Sequence, residues 1–361
     1  MKGDTADWID LSLVPGLGPA GFRALLSRFG LPSEILSADA GDLAQIAGTK
    51  VAEAIKHRDR GASVDAALQW IDHPGHALVT LSDSTYPRAL LEIPDPPPLI
   101  YVRGNPGWLS RPALAVVGSR NSTAQGRENA EQFARSLSEA GFTIISGLAL
   151  GIDTAAHLGG LDGAGSTVAV VGTGADLIYP GRNQQLASRI VEQGALISEF
   201  PLGTPPVPGN FPRRNRLISG LSRGILVVEA ALSSGSLITA KFAAEQGRDV
   251  LAIPGSIHSP LSRGCHALIK QGAKLVESAQ DVLDEIRLDT SFRTAATDGI
   301  DPNISGPGAE LLQYMGYDPC SVDSITNRSR LTPATVSAML LALELEGVVT
   351  SLPGGMYQRV R

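Results

Sequence analysis

The stretch ALAVVGSRNSTAQGRENA, residues 113–130, runs an unbroken apolar segment into a Gly-Ser turn and then into residues of helical composition. An apolar run without alternation marks a strand buried on both faces, the pattern of a parallel sheet covered by helices. The unit recurs as FTIISG (142–147), TVAVVGTG (167–174), ALISEF (195–200), GILVVEA (224–230), DVLAIPG (249–255) and AKLVES (273–278). Seven such runs separated by helical segments predict an α/β fold built on a doubly wound parallel sheet. Each run ends in small or turn-forming residues: Gly118, Gly147, Gly172 with Gly174, Pro201, Ala230, and Pro254 with Gly255. Parallel strands share a direction, so these ends fall on one rim, where open α/β sheets bind ligands.

Working outward, residues 1–85 read as short helices. LSLVPGLGPAGFRALLSRFG sets a turn at Pro15–Gly18 between two apolar-periodic stretches, and DLAQIAGTKVAEAI repeats the plan, which resembles SAM-like or helix-hairpin-helix units. Residues 1–100 hold eight Lys/Arg against thirteen Asp/Glu, so this domain is expected to have a structural or protein-contact role rather than to bind DNA. The α/β domain is expected over 86–287 and a polar linker over 288–307. Residues 308–361 read helix, helix, turn, helix and a hairpin around Pro353–Gly355, the order of a winged helix with Thr332–Glu346 in the recognition position. That helix has no Lys or Arg and two Glu, which suits contact with protein, either its own core or a recombination partner, better than a DNA groove.

The 361 residues allow two or three domains, and the formal net charge of −6 excludes a general affinity for nucleic acid, so any such binding must be local. Only Cys265 and Cys320 occur, outside any metal-ligand spacing, and MKGDTADWIDL lacks the apolar core of a signal peptide. These point to a reducing cytoplasm, with no disulfide framework, metal or membrane span expected.

The local charge is conspicuous in NFPRRNRLISGLS, residues 210–222. No acidic residue lies between Glu199 and Glu229, yet Arg213, Arg214, Arg216 and Arg223 do. Arginine's planar fork matches phosphate, and the segment opens a helix after the Pro/Gly-rich loop PLGTPPVPGN. On the same rim, Gly118 and Ser119 are expected to present turn amides to an anion, with Arg120 projecting beside them. Gly172–Asn183 adds Tyr179, Arg182 and Asn183. Ser234, Gly235 and Ser236 precede a helix as an anion nest, a place that plain N-capping explains equally well on its own. Asp153 and His157, four apart in SGLALGIDTAAH, read as a helix cap and a packed histidine rather than a catalytic pair. GxGxxG fails at Leu177 and no GxxxxGK occurs, against a dinucleotide or P-loop cofactor. Arg120, Arg182, Arg213 and Arg214 are thus expected to form one electropositive pocket for a polyanion longer than one nucleotide, with Phe211 for a base to stack on. Single-stranded nucleic acid fits this best.

In order, VVGSR, SGLALGIDTAAH, GTGADLIYPGRN, SEFPLGTPPVPGNFPRRNRLISGLS, VVEAALSSGSLITA and AIPGSI resemble the motifs of the DNA-processing protein A (DprA or Smf) family; upstream, YPRALLEIPDPPPLIYVRGN resembles that family's entry into an extended Rossmann-like domain. The resemblance implies a cytosolic homodimer, paired through the Rossmann domain, that binds incoming single-stranded DNA in natural transformation, protects it and helps load the RecA recombinase. It implies no catalysis and no cofactor, and it carries binding over to Gly118, Ser119, Arg120, Arg182, Asn183, Asn210, Phe211, Arg213, Arg214 and Arg216. GCHALIKQGA departs from the Asn-containing form of many relatives. Two rivals remain: a nucleotide-processing enzyme of the phosphoribohydrolase-like Rossmann group, whose PGGxGTxxE glutamate is missing from EAALSSGSLITA, and a winged-helix transcription regulator, which a recognition helix with two Glu and no Lys or Arg disfavours. Neither accounts for Arg213–Arg216.

Overall fold

The computed structural model describes residues 2–58, 61–286, 307–316 and 319–360. The seven expected runs become strands β3 (Ala113–Val117), β4 (Thr143–Ser146), β5 (Thr167–Val170), β6 (Ala195–Ser198), β7 (Gly224–Val227), β8 (Asp249–Ala252) and β9 (Lys274–Leu275), and all pair in parallel. Two further strands were not foreseen. β1 (His76–Thr80) and β2 (Leu99–Gly104) pair with each other and join β6, both antiparallel, giving the order β1-β2-β6-β5-β4-β3-β7-β8-β9. β1 lies upstream of residue 86, so the sheet begins inside the segment assigned to the helical domain.

From β3 the chain steps outward through β4, β5 and β6, then crosses back to place β7, β8 and β9 on the other side of β3. The sheet therefore has its switch point between β3 and β7. Alternating strand residues feed two cores. Leu114 and Val116 pack under helices Ala124–Glu139 and Ile152–Asp162, whereas Ala115 and Val117 pack under Asn210–Gly220 and Gly235–Glu245.

Six helices precede the sheet, from Lys2–Ser12 to Ala62–Ile71. Trp8 stacks on Phe22 with ring centres 5.5 Å apart, and Trp70 meets Tyr101 of β2 edge-on at 5.9 Å. The helical core continues into Leu99, Tyr101 and Leu196 of the sheet without a break.

The linker expected over 288–307 lies outside the described residues, save for Pro307. Beyond it, helices Pro307–Met315, Val322–Ser329 and Pro333–Leu345 and strands β10 (Cys320–Ser321), β11 (Val349–Leu352) and β12 (Met356–Arg359) form a winged helix. Leu311, Ile325, Val336, Leu340 and Leu343 make its core. The Thr332 hydroxyl caps the third helix by accepting from the Thr335 amide at 3.3 Å, so its start matches the expected recognition position. The wing rests on the chain's own α/β core, where Gln358 Oε1 accepts from the Gln125 amide at 3.5 Å.

Candidate nucleic-acid interface

The loops that leave β3 and β7 flank the switch point, and between them opens a pocket of about 600 Å³. Its walls are the turn Gly118–Asn121, Asp153, Tyr179, Phe211 with Arg214 and Asn215, and Ser233–Ser236 at the head of helix Gly235–Glu245.

Close packing shapes the turn. A Cβ on Gly118 would lie 2.7 Å from Ile152 Cγ1 and 2.8 Å from the Glu229 carbonyl oxygen. Gly151, at φ +80°, lets the next helix begin against this turn; a Cβ there would run into the carbonyl oxygens of Ser119 and Arg120. The Ser119 amide donates to the Glu229 carbonyl at 2.7 Å and its hydroxyl accepts from the Asn121 amide at 3.2 Å. The Ser119 amide holds β3's exit to β7's and is spent there, so the expectation that it faces an anion is corrected.

Arg120 is exposed, and its guanidinium carbon stands 5.7 Å from the centre of the Phe211 ring. Phe211 in turn lies 5.7 Å from the ring of Tyr179, which is 49% exposed. The floor under Phe211 is Gly172, where a Cβ would come within 2.9 Å of the ring. A cation and two aromatic faces therefore meet at the rim, a combination suited to a phosphate beside a stacked base.

Arg214 also lines the pocket, but it is 4% exposed and committed inward. Its Nη1 donates to the Gly147 carbonyl at 2.8 Å and to that of Val170, and Nε donates to Asn215 Oδ1 at 3.1 Å. Burial lowers its pKa to about 10, an effect that Asp153 opposes and Arg120 reinforces, so it stays charged at neutral pH. Asp153 does not cap its own helix: its Oδ2 accepts from the Gly147 and Ala149 amides at 3.1 and 3.3 Å, tying down the loop before it. Burial raises its pKa, against the pull of Arg214, the two amides and Arg120.

Arg213 and Arg216 point away from the pocket. Arg216 Nη2 donates to Glu199 Oε2 at 2.7 Å and Nε to Asp95 Oδ2 at 3.4 Å, while Arg213 Nη2 reaches the same Glu199 oxygen at 3.2 Å. The segment that looked unneutralised has two carboxylates against it, and the single pocket of four arginines is corrected to Arg120 and Arg214. Arg182 is exposed on the turn Gly181–Asn183, outside the pocket wall. Asn183 is buried and its Nδ2 donates to Leu148 O at 2.9 Å and Thr154 Oγ1 at 3.0 Å, holding the loop after β4. Asn210 is half-buried at the first position of its helix. Ser234 caps helix Gly235–Glu245, its hydroxyl accepting from the Ser236 amide at 3.3 Å, so Ser234, Gly235 and Ser236 present that helix's start to the pocket.

His157 is fully buried. Its Nε2 accepts from the Leu148 amide at 3.2 Å, and Nδ1 lies 2.7 Å from the Thr167 hydroxyl, which itself donates to Ile144 O. Burial, with Arg214 adding to it, drops its pKa to about 3, so it is a neutral packed histidine. Among the described residues no group of three or more His, Cys, Asp or Glu is placed to hold a metal, and no helix is long and apolar enough to cross a membrane.

A larger cleft of about 1350 Å³ lies between the wing, the start of helix Ala124–Glu139 and the loop after β8. Carboxamides, hydroxyls and prolines dominate its lining, with Glu229 opposing Arg359, so it lacks the positive excess that a strand backbone needs.

The sequence pattern of the family described as DNA recombination-mediator protein A matches residues 77–287, and that of the DprA winged helix domain matches 296–355. Protein Smf of Escherichia coli is 43% identical over 305 residues, covering 83% of this chain and 81% of that protein. The X-ray structure of DNA processing protein A from Streptococcus pneumoniae superposes with a TM-score of 0.70 at 40% identity, over 78% of this chain and 98% of that one. A Helicobacter pylori structure, described as giving the single-stranded DNA binding mode of that organism's DNA processing protein A, has a TM-score of 0.53 at 29% identity over 58% of this chain and 95% of that one. With the ordered rim motifs, the extended sheet and the winged helix all in place, the chain belongs to the DNA recombination-mediator protein A family, the DprA/Smf proteins.

Proposed function

We propose that the pocket over the β3/β7 switch point binds single-stranded DNA, with Arg120 on a phosphate, Phe211 and Tyr179 as stacking faces, and the start of helix Gly235–Glu245 as a neutral anion rest. The observation that carries this reading is the rim cluster itself: an exposed guanidinium 5.7 Å from the Phe211 ring, which is 5.7 Å from Tyr179. A recessed rim of this kind accepts a flexible strand with unpaired bases and excludes a rigid duplex. Arg214 and Asn183 shape the site from behind, and Arg182 and Arg213 lie at its margins. The single-strand binding described for the Helicobacter pylori relative supports the assignment.

Family membership supports the finer part: the protein acts in natural transformation as a cytoplasmic homodimer that shields incoming strands and passes them to RecA, without catalysis or cofactor. The inert state of His157 and the internal commitments of Asp153 agree with a site that binds and does not react. The N-terminal helices and residues 308–361 would then serve protein contacts around a binding domain that begins at β1.

Fluorescence anisotropy with a labelled oligothymidylate and a duplex of equal length, at two salt concentrations, tests this. The expected result is preference for the single strand and a log-log salt slope that falls by about 0.7 in Arg120→Ala. Equal affinity for duplex and single strand, or an unchanged slope, overturns it.

A further inference from the structure

Five charged side chains alternate in sign from the N-terminal helices to the rim. Arg23 Nη1 meets Asp95 Oδ1 at 3.0 Å, Asp95 Oδ2 meets Arg216 Nε at 3.4 Å, and Glu199 Oε2 is shared by Arg216 at 2.7 Å and Arg213 at 3.2 Å. Arg23 also donates to the carbonyls of Pro94 and Pro96, which fixes the loop carrying Asp95. Three guanidiniums share two carboxylates, so the row has one positive charge in excess. Arg213 has the longer of the two bonds to Glu199, and its side chain is 46% exposed against 8% for Arg216 and 2% for Glu199. Glu199 Oε1 and Arg216 Nη1 are buried without a hydrogen-bond partner, so these two groups have unused capacity for each other.

We infer that Glu199 is a placeholder anion for Arg213, which a DNA phosphate displaces, and that Asp95 and Arg23 set how firmly the placeholder holds. On displacement Arg213, now stacked 5.3 Å over Phe200, turns to the strand, and Glu199 turns wholly to Arg216. The inference rests on the reading of the rim as a single-strand site. It makes Asp95 and Arg23 positioning residues that act through Arg213, although neither lines the pocket.

The row fixes the signs. Without the Asp95 charge, Arg216 depends on Glu199 alone and Arg213 is loosened. Without the Arg23 charge, Asp95 serves Arg216 undivided, and Glu199 tightens on Arg213.

The test is anisotropy of oligothymidylate binding by the full chain carrying Asp95→Asn, Arg23→Gln, Arg213→Ala and the double variant Asp95→Asn/Arg213→Ala. Asp95→Asn should bind roughly two- to fivefold more tightly and Arg23→Gln more weakly by a similar factor, as suits partly exposed pairs. The gain should vanish in the double variant. Weakening by both single variants, the mark of a merely structural row, overturns the inference, as does a gain that survives without Arg213, the mark of a general field effect. If strand binding is indifferent to Phe211→Ala, the functional reading itself falls; if it depends on Phe211 while Asp95→Asn does not tighten it, only the placeholder falls.

Discussion

Replacing Phe211 separates stacking from charge at the rim. The ring is half-buried, stands on Gly172 and faces both Tyr179 and the Arg120 guanidinium. One base lost from an aromatic face costs about 1–3 kcal/mol, so Phe211→Ala should weaken single-strand binding roughly 5- to 150-fold. No charge is removed, so the salt slope should match that of the parent, whereas Arg120→Ala should lower it by about 0.7. Phe211→Leu fills much of the same space over Gly172 without a π face, and it should lose most of the affinity while melting near the parent temperature. Anisotropy at several salt concentrations, paired with thermal melts, reads all three variants. A Phe211→Leu protein that binds as the parent does would show that the ring only fills space, and a drop in slope in Phe211→Ala equal to that of Arg120→Ala would show that it only positions the arginine.

Gly151→Ala forces a side chain into φ +80° and against the carbonyls of Ser119 and Arg120; a cost of about 1–3 kcal/mol in urea unfolding and a shifted Arg120 with weaker strand binding are expected together. His157 is held neutral with its pKa lowered from 6.5 to about 3, so its contribution to stability is complete above pH 6.5 and is lost as pH falls towards 3, at about 1.4 kcal/mol per unit. Asp153 and Glu229, both raised chiefly by burial, work in the opposite direction over the acid range, so the clean readout is the difference in slope between the parent and His157→Gln from pH 6.5 to 5 in denaturant melts. Arg216→Ala leaves buried Glu199 with Arg213 alone, and urea unfolding should show a loss of about 2 kcal/mol, below the full penalty for breaking a buried pair because one partner remains.

The parallel sheet was legible because each of its strands is an apolar run closed by a turn residue. β1 was not: HALVT is short, its first three residues are only half-buried, and its partner is 19 to 27 positions away across a proline-rich loop. The rim was legible for the same reason as the sheet, since strand direction alone places Gly118, Gly172 and Ala230 together. The partners of the arginines were hidden to different degrees. Glu199 directly follows β6, 17 residues before Arg216, and Asp95 lies 121 residues before it, a separation no local charge count spans. Asp153 had the position of a cap in the sequence, and only the backbone path of Gly147–Ala149 shows that its carboxylate turns back to the loop.

At about 100° per residue, Arg213 leaves the helix axis 100° or more away from each of Phe211, Arg214, Asn215 and Ile218, so it belongs to a different face from those four. The helical period sorts Asn210–Gly220 into two faces. Phe211, Arg214, Asn215 and Ile218 turn to the switch-point pocket, whereas Arg213, Arg216 and Gly220 turn to Glu199, Asp95 and the side chains of Leu90 and Ile93. A dense run of like charge on a helix is therefore divided by geometry between different neighbours before any ligand arrives. Here the division gives one arginine to the architecture of the loops, one to a buried carboxylate, and one to the exposed end of an ion row, where a phosphate can compete for it.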